Sequence, residues 1–534
     1  VTPSQLNRDG PLQAVAELRP SLDGAEITPV SPIDLKHLTP VRVSGPTEIR
    51  SAVDKARLAQ DYWRLRPLRE RIATLTRAAK EMLRRRQEVI DLVRAELGRV
   101  PIEGLFIEAL GPLEVVNGWS AVVRRATRTR RVRLNPLSFP NKRAQVEYLP
   151  RGVIGVIAPW NYPVAGLYRS TLPALLTGNG VVVKPSEYTP RTSAWLVERL
   201  AAELPDGLIQ VVQGDGRAGR DLVDAGIDAC IFTGSPATGR KVSLQCAERG
   251  IPVSAEMGGK DAALVIADCD VPRTVAGITH WALSNVGQAC GAIEVAYVDE
   301  RIADELVERL AKAWTRLNTG EGELADVGPL GNQRQLDLVV SHVEDARAKG
   351  ARIVCGGTPS GKGLFFPPTI LDHCTETMSV VRDETFGPVL AIVRVNGVEA
   401  GVRAVNASRY GLGTSIWTSD LARARRIAER IDVGVVTVNN HSFSGAVPAL
   451  PWSGTRDTGL GIANGPEALP IFVRPRTLIV DASKAPEPFW MPFDRRLWDL
   501  GNLLAEAQLG RLARIWRLPL LLWERVRTVR RFFN

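Results

Sequence analysis

The sequence predicts an α/β protein with two successive domains, each built on a largely parallel sheet. Two observations predict it. Short apolar runs rich in Val, Ile and Ala recur without polar alternation, as in strands buried on both faces. Between them lie amphipathic stretches of helical period, the alternation that parallel strands require. Length agrees, because 534 residues exceed one ordinary core and suggest two or three domains.

The elements follow in order. Residues 48–98 are rich in Ala, Leu, Arg and Glu, and Ile72, Leu75, Ala79, Met82 and Leu83 share one helical stripe. A first strand series reads VIGVIAP (153–159), VVVKP (181–185), LIQVVQ (208–213), ACIFTG (229–234) and AALVI (262–266), with helices over 191–204 and 219–225. A second reads EVAYV (294–298), RIVCG (352–356), VLAIVRV (389–395) and GVVTVN (434–439), with helices over 302–317 and 422–431.

Composition narrows the classes. With 45% hydrophobic and 24% charged residues the chain reads as globular, not disordered. No stretch approaches the roughly 18 uninterrupted apolar residues of a membrane span. The six cysteines form no CxxC pair and no Cys/His cluster at zinc spacing, so no metal is expected and a reducing, cytoplasmic setting fits. Val1 to Asp9 lack the basic segment and apolar run of a signal peptide. The net charge of +10 concentrates in Arg124, Arg125, Arg128, Arg130, Arg131 and Arg133 and in the C-terminal tail. Such faces hold nucleic acid or anionic lipid, or are simply solvated or part of a subunit contact. No zinc-finger, RNP-like or helix-turn-helix pattern supports nucleic acid.

Several segments carry chemistry. The first strand runs into Pro159-Trp160-Asn161, where an amide N–H suits a developing oxyanion and an Asn also suits a turn. Lys184-Pro185-Ser186-Glu187 follows the second strand; a carboxylate there accepts from ribose hydroxyls and repels a 2′-phosphate, or simply lies in a surface loop. Phe232-Thr233-Gly234-Ser235 stands between strand and helix, where a helix N-terminus receives a pyrophosphate or Ser235 merely caps it. Gly214-Asp215-Gly216-Arg217-Ala218-Gly219 is a literal GxGxxG that competes for the phosphate. Cys290 has polar and glycine neighbours (Asn285, Gly287, Gln288, Gly291), unlike the apolar surroundings of a structural thiol. Glu256, beside Gly258 and Gly259, has room to move as a base, the alternative being a strand-end ion pair.

In this order and spacing, across roughly residues 45–480, these segments resemble the aldehyde dehydrogenase superfamily. Asp383-Glu384-Thr385-Phe386-Gly387-Pro388-Val389 adds to the resemblance, and so does the segment 451–461, with departures at Trp452 and Thr458. The resemblance implies two Rossmann-type α/β domains, a small β oligomerisation element and here a helical C-terminal tail. The dinucleotide-binding domain is then 1–132 with 151–256, the catalytic domain 257–465, the oligomerisation strands 133–150 and 466–482, and the extension 483–534. It further implies Cys290 as nucleophile, Glu256 as general base and Asn161 as oxyanion donor. The cofactor is NAD, with NADP as the alternative, against Ile157, Pro159, Trp160, Lys184, Ser186, Glu187, Gly214, Phe232, Gly234, Ser235, Glu256, Met257, Gly258, Glu384 and Phe386. In this family the segment at 232–235 takes the pyrophosphate, and Gly214 belongs to a turn beside it. Glu384 would accept from the nicotinamide ribose and Phe386 would pack on the ring.

The implied reaction takes an aldehyde to its acid through a thiohemiacetal and an acyl-thioester on Cys290. Glu256 favours hydrolysis over transfer to coenzyme A. The competing readings are a catalytically silent nucleotide-binding scaffold and a His-based hydrolase, the latter disfavoured by five His with no G-x-S-x-G elbow. A homodimer or homotetramer follows by resemblance. Beyond Ala482 the tail interleaves Trp490, Trp498, Trp516 and Trp523 with arginines, and Pro519 is expected to break or kink any helix. Such a stretch suits peripheral contact with a membrane, or docks on the enzyme or a neighbouring subunit. Fatty-aldehyde members of the family carry comparable tails, which points to a hydrophobic aldehyde.

Overall fold

The computed structural model describes residues 21–23, 26–135, 139 and 141–534. These form two compact units: residues up to Thr127 with Leu149–Arg474, and Arg128–Tyr148 with Pro475–Asn534.

The larger unit carries two sheets. The first contains β1 (Val153–Ile157), β2 (Gly180–Lys184), β3 (Ile209–Val211), β4 (Ala229–Thr233) and β5 (Val253–Glu256), in spatial order β5-β4-β1-β2-β3 and all parallel. Every residue of β1 and β2 is buried, as an uninterrupted apolar run requires. The second contains β6 (Asp261–Val265), β7 (Ile293–Asp299), β8 (Arg352–Cys355), β9 (Thr369–Asp372), β10 (Val389–Val395), β11 (Gly413–Trp417) and β12 (Val435–Val438), ordered β8-β9-β10-β7-β6-β11-β12. The chain crosses between sheets over residues 257–260, so β5 ends where the cleft of an α/β fold opens.

Four readings change. Residues 48–98 are three helices, Pro46–Trp63, Leu68–Arg84 and Arg86–Leu97, divided at Pro67 and Arg85. The run at 262–266 belongs to the second sheet, not the first series. β8 is an antiparallel, half-buried edge strand. β9 and β11 escaped the pattern because one is four residues long and the other buries Thr414 and Ser415 among its apolar residues.

In the smaller unit Lys142–Pro150 lies between Val473–Asp481 and Arg130–Val132. The hairpin therefore starts before residue 133. Residues Pro466–Ile471 form a 3-10 turn, where two prolines bar a ladder, so the late strand begins at Val473 and not at 466. From Arg474 to Asp481 this edge strand is exposed. The tail forms two helices, Arg495–Gln508 and Leu518–Phe533, packed through Leu500, Leu503 and Leu521. Pro519 falls in the first turn of the second helix, where its missing N–H costs nothing, so it starts a helix instead of breaking one. Arg525 is fully buried, donating to the carbonyls of Pro488, Trp490 and Pro492 and pairing with Asp494 at 3.0 Å. Trp498, Trp516, Trp523, Phe532 and Phe533 remain exposed. Among the described residues no helix is long and apolar enough to cross a membrane. Arg124, Arg125, Arg128, Arg130, Arg131 and Arg133 are all exposed.

Candidate active site

A cavity of about 1790 Å³ in the larger unit gathers the residues singled out by sequence. Its wall includes Ile157, Pro159, Trp160, Asn161, Lys184, Ser186, Glu187, Phe232, Gly234, Ser235, Glu256, Met257, Gly258, Cys290, Glu384 and Phe386. Gly214 stands off the wall: its carbonyl accepts from Lys184 Nζ at 3.0 Å, and a Cβ there would lie 2.4 Å from Ala218 Cβ. It belongs to the turn and does not line the cavity, unlike the other cofactor contacts expected from the resemblance.

The two competing phosphate loops differ in charge. Asp215 caps the helix Gly216–Asp224 by accepting from the Arg217 N–H at 2.8 Å. Hydrogen bonds to Arg217 hold its carboxyl below the usual range despite the burial that opposes them, so an anion already sits on that N-terminus. The helix Pro236–Glu248 is capped by the neutral Ser235, leaving its positive end for a ligand phosphate. The 232–235 segment is therefore the better anion site.

On the far side of the cavity the ring of Phe386 meets Trp160 edge-on at 5.6 Å. Glu384 accepts from the Gly259 N–H at 2.9 Å, and any Cβ on Gly258 would lie 2.2 Å from its carboxylate. Burial, then Glu294, pushes the Glu384 carboxyl up to about 8. The buried Lys260–Glu294 pair steadies this segment, since Glu294 accepts from the N–H groups of Thr385 (2.7 Å) and Phe386 (2.8 Å).

Asn161 is buried and donates through Nδ2 to the Gln288 carbonyl at 2.9 Å. Cys290 lies two residues further on, partly exposed to the cavity. Burial pushes its thiol up to about 12, with Arg169 as the largest opposing charge. Glu256 ends β5, and burial raises its carboxyl too, again against Arg169. The segment 451–461, whose departures left its role open, packs on Glu256. Gly461 N and Leu460 N donate to the Ala255 carbonyl at 2.9 and 3.1 Å. A Cβ on Gly461 would lie 2.9 Å from Glu256 Cγ.

A thiol, a carboxyl group and a side-chain amide thus share one cavity with an uncharged helix cap. The sequence model of the aldehyde dehydrogenase family matches residues 20–478. The chain belongs to the aldehyde dehydrogenase family. A 4,4′-diapolycopene aldehyde oxidase of Methylomonas sp is 36% identical over 469 residues, 88% of each chain. A putative succinate-semialdehyde dehydrogenase [NADP(+)] 2 of Mycobacterium ulcerans is 34% identical, over 83% of this chain and 86% of the relative. The crystal structure of PnpE in complex with nicotinamide adenine dinucleotide superposes with a TM-score of 0.82 at 27% identity, covering 87% of this chain and 96% of that one. This aldehyde dehydrogenase is thus an oxidoreductase of known fold that uses a nicotinamide cofactor.

Sequence reasoning missed Arg99, Arg169 and the pairing of Asn285 with Asn161. Arg169 lies on a helix and Arg99 just after one, and both look like surface charges. Only the fold turns them inward, and nothing local marks them.

Proposed function

We propose that this aldehyde dehydrogenase oxidises a hydrophobic aldehyde to its carboxylic acid with NAD, or with NADP as the alternative, through a thioester on Cys290. The observation that carries the proposal is the single cavity shared by Cys290, Glu256, Asn161 and the dinucleotide-type residues.

The residues present fit a dinucleotide. Ser235 leaves a helix end uncharged for the pyrophosphate. Glu187, one-third exposed and only loosely paired with Lys184 at 3.9 Å, has oxygens to accept from ribose hydroxyls. It disfavours a 2′-phosphate, while Arg220 and Lys241 on the same wall would favour one. Glu384 and Phe386 would flank the nicotinamide riboside. The nicotinamide, when bound, supplies the hydride acceptor.

The chain's own groups do the rest. The Cys290 thiol gives its proton to Glu256, which releases it to solvent, and the sulfur attacks the aldehyde carbon. Asn161 Nδ2 spends one N–H on Gln288 and keeps a second for the oxyanion, joined by the Cys290 N–H. Glu256 takes the proton of the water that hydrolyses the thioester, and burial, which raises its carboxyl above the usual value, makes it a stronger base.

A hydrophobic substrate is supported by Ile102, Phe106, Trp281, Leu283, Phe443 and Trp452 on the cavity wall. A relative whose name gives a 4,4′-diapolycopene aldehyde as substrate agrees with this reading. Assembly as a homodimer or homotetramer through the exposed strand Val473–Asp481 fits the unpaired edge that it presents. Peripheral membrane contact through 483–534 rests on the exposed tryptophans among arginines. Flotation with anionic vesicles, for the full chain beside a version ending at Ala482, tests that contact, and equal behaviour rules it out.

The principal test is spectrophotometric detection of dinucleotide reduction with short, aromatic and long-chain aldehydes, for wild type and Cys290→Ala. Activity that rises with chain length and vanishes in the variant is expected. Activity confined to short polar aldehydes would refute the hydrophobic assignment.

A further inference from the structure

Around the catalytic groups lies a second layer that neither the motifs nor the family match assigns. Arg99 follows the helix Arg86–Leu97, and its side chain is fully buried. Its guanidinium makes four contacts. It pairs with the fully buried Glu108, donates to the backbone carbonyl of Asn161, and donates through Nε to Asn285 Oδ1 at 3.2 Å. It also lies 4.7 Å from the centre of the Tyr162 ring. Asn285 completes the link. Its Nδ2 donates to the carbonyls of Asn161 and Gln288, both at 3.0 Å.

The backbone here needs holding. Asn285 and Val286 adopt positive φ (52° and 60°), a region that non-glycine residues, and a β-branched Val above all, avoid. Glu103 accepts from the Asn285 N–H at 2.7 Å, and Gln288 Nε2 donates to the Asn285 carbonyl at 3.1 Å. On the other side Glu108 accepts from the N–H groups of Val164 (3.1 Å) and Ala165 (2.5 Å), fixing the chain just after Asn161. One guanidinium therefore ties the turn that bears the oxyanion donor to the strained turn that bears the nucleophile.

From this we infer that Arg99 is a positioning residue for turnover: acting with Asn285, it sets the placement of the Asn161 amide relative to the Cys290 sulfur. A buried ion pair is weak evidence for stability, because desolvation offsets most of the attraction. What this pair offers is geometry, and a misplacement of about 1 Å costs on the order of 10²-fold in rate. The inference rests on the proposed role of Asn161.

The test is a double-mutant cycle in kcat with Asn161→Ala. Arg99→Lys keeps the charge but not the planar fork. Asn285→Ala removes the link without leaving a buried charge, and so serves if Arg99 variants misfold. Each single change is expected to lower kcat about 10-fold to 10²-fold, with dinucleotide affinity by fluorescence quenching within about two-fold. Combined with Asn161→Ala, neither should lower kcat further, because the group they place is already gone. Multiplicative losses, or dinucleotide affinity falling in step with kcat, would overturn the positioning role. If Asn161→Ala alone leaves kcat intact, the catalytic role of Asn161 falls, and the inference with it.

Discussion

The side-chain amide of Asn161 and the main-chain carbonyl of Gln288 are joined at 2.9 Å, two residues before Cys290. That bond fixes the amide on the cavity wall that also carries Cys290 and leaves a second N–H hydrogen free of it. Asn161→Ala should lower kcat by ~10²–10³, the usual effect of losing one oxyanion donor. Dinucleotide affinity should stay unchanged. Steady-state kinetics beside equilibrium titration checks both.

The acid-base groups predict opposite pH limbs. With its thiol raised to about 12, Cys290 is neutral at pH 7, so its alkylation by iodoacetamide should still climb between pH 7 and 10 without a plateau. Glu256 works as a base only when ionised, and its raised pKa makes turnover fall as pH drops through a value above the ordinary carboxylate range. Glu256→Gln should remove that acid limb and slow hydrolysis, giving a burst of about one dinucleotide reduced per subunit. A burst-free Gln variant with normal turnover would remove Glu256 from the mechanism.

Cofactor choice should turn on Glu187. Replacement by Gln removes the charge that opposes a 2′-phosphate while Arg220 and Lys241 remain on the wall. The ratio of kcat/KM for NADP to that for NAD should rise about 10-fold, the worth of one modest electrostatic contact. Parallel assays with the two cofactors decide it.

Arg525 should matter to the tail alone. It is fully buried with three carbonyl acceptors and Asp494, and Arg525→Met leaves those three carbonyls without their donor. The expected cost is about 3 kcal/mol of local stability. Limited proteolysis should then cut within 483–534 first, with turnover of a short aldehyde retained.

The alternating strands and helices were legible because strands such as β1 and β2 are apolar along their whole length. β11 was not, because Thr414 and Ser415 are buried as polar residues and break the run. The candidate catalytic groups Cys290, Glu256 and Asn161 stood out as motifs, and the fold brings all three to one cavity. The reason for choosing 232–235 over the GxGxxG at 214–219 was not local: it lies in the caps, Asp215 charged and Ser235 neutral. Arg99 was invisible for a related cause, because its partners Glu108, Asn161 and Asn285 come from three separate segments.

Glu256 has its seat built by residues 459–461: Gly459 pairs with it in an antiparallel bridge, and the N–H groups of Leu460 and Gly461 donate to the Ala255 carbonyl. On a ribosome, both Glu256 and Cys290 emerge long before that segment is made. A nascent chain can therefore hold its thiol and its base while the base has no fixed address. Truncations ending before Gly459 are predicted to keep the Cys290 thiol yet lose hydrolysis, so synthesis itself delays full activity until nearly the whole larger unit is complete.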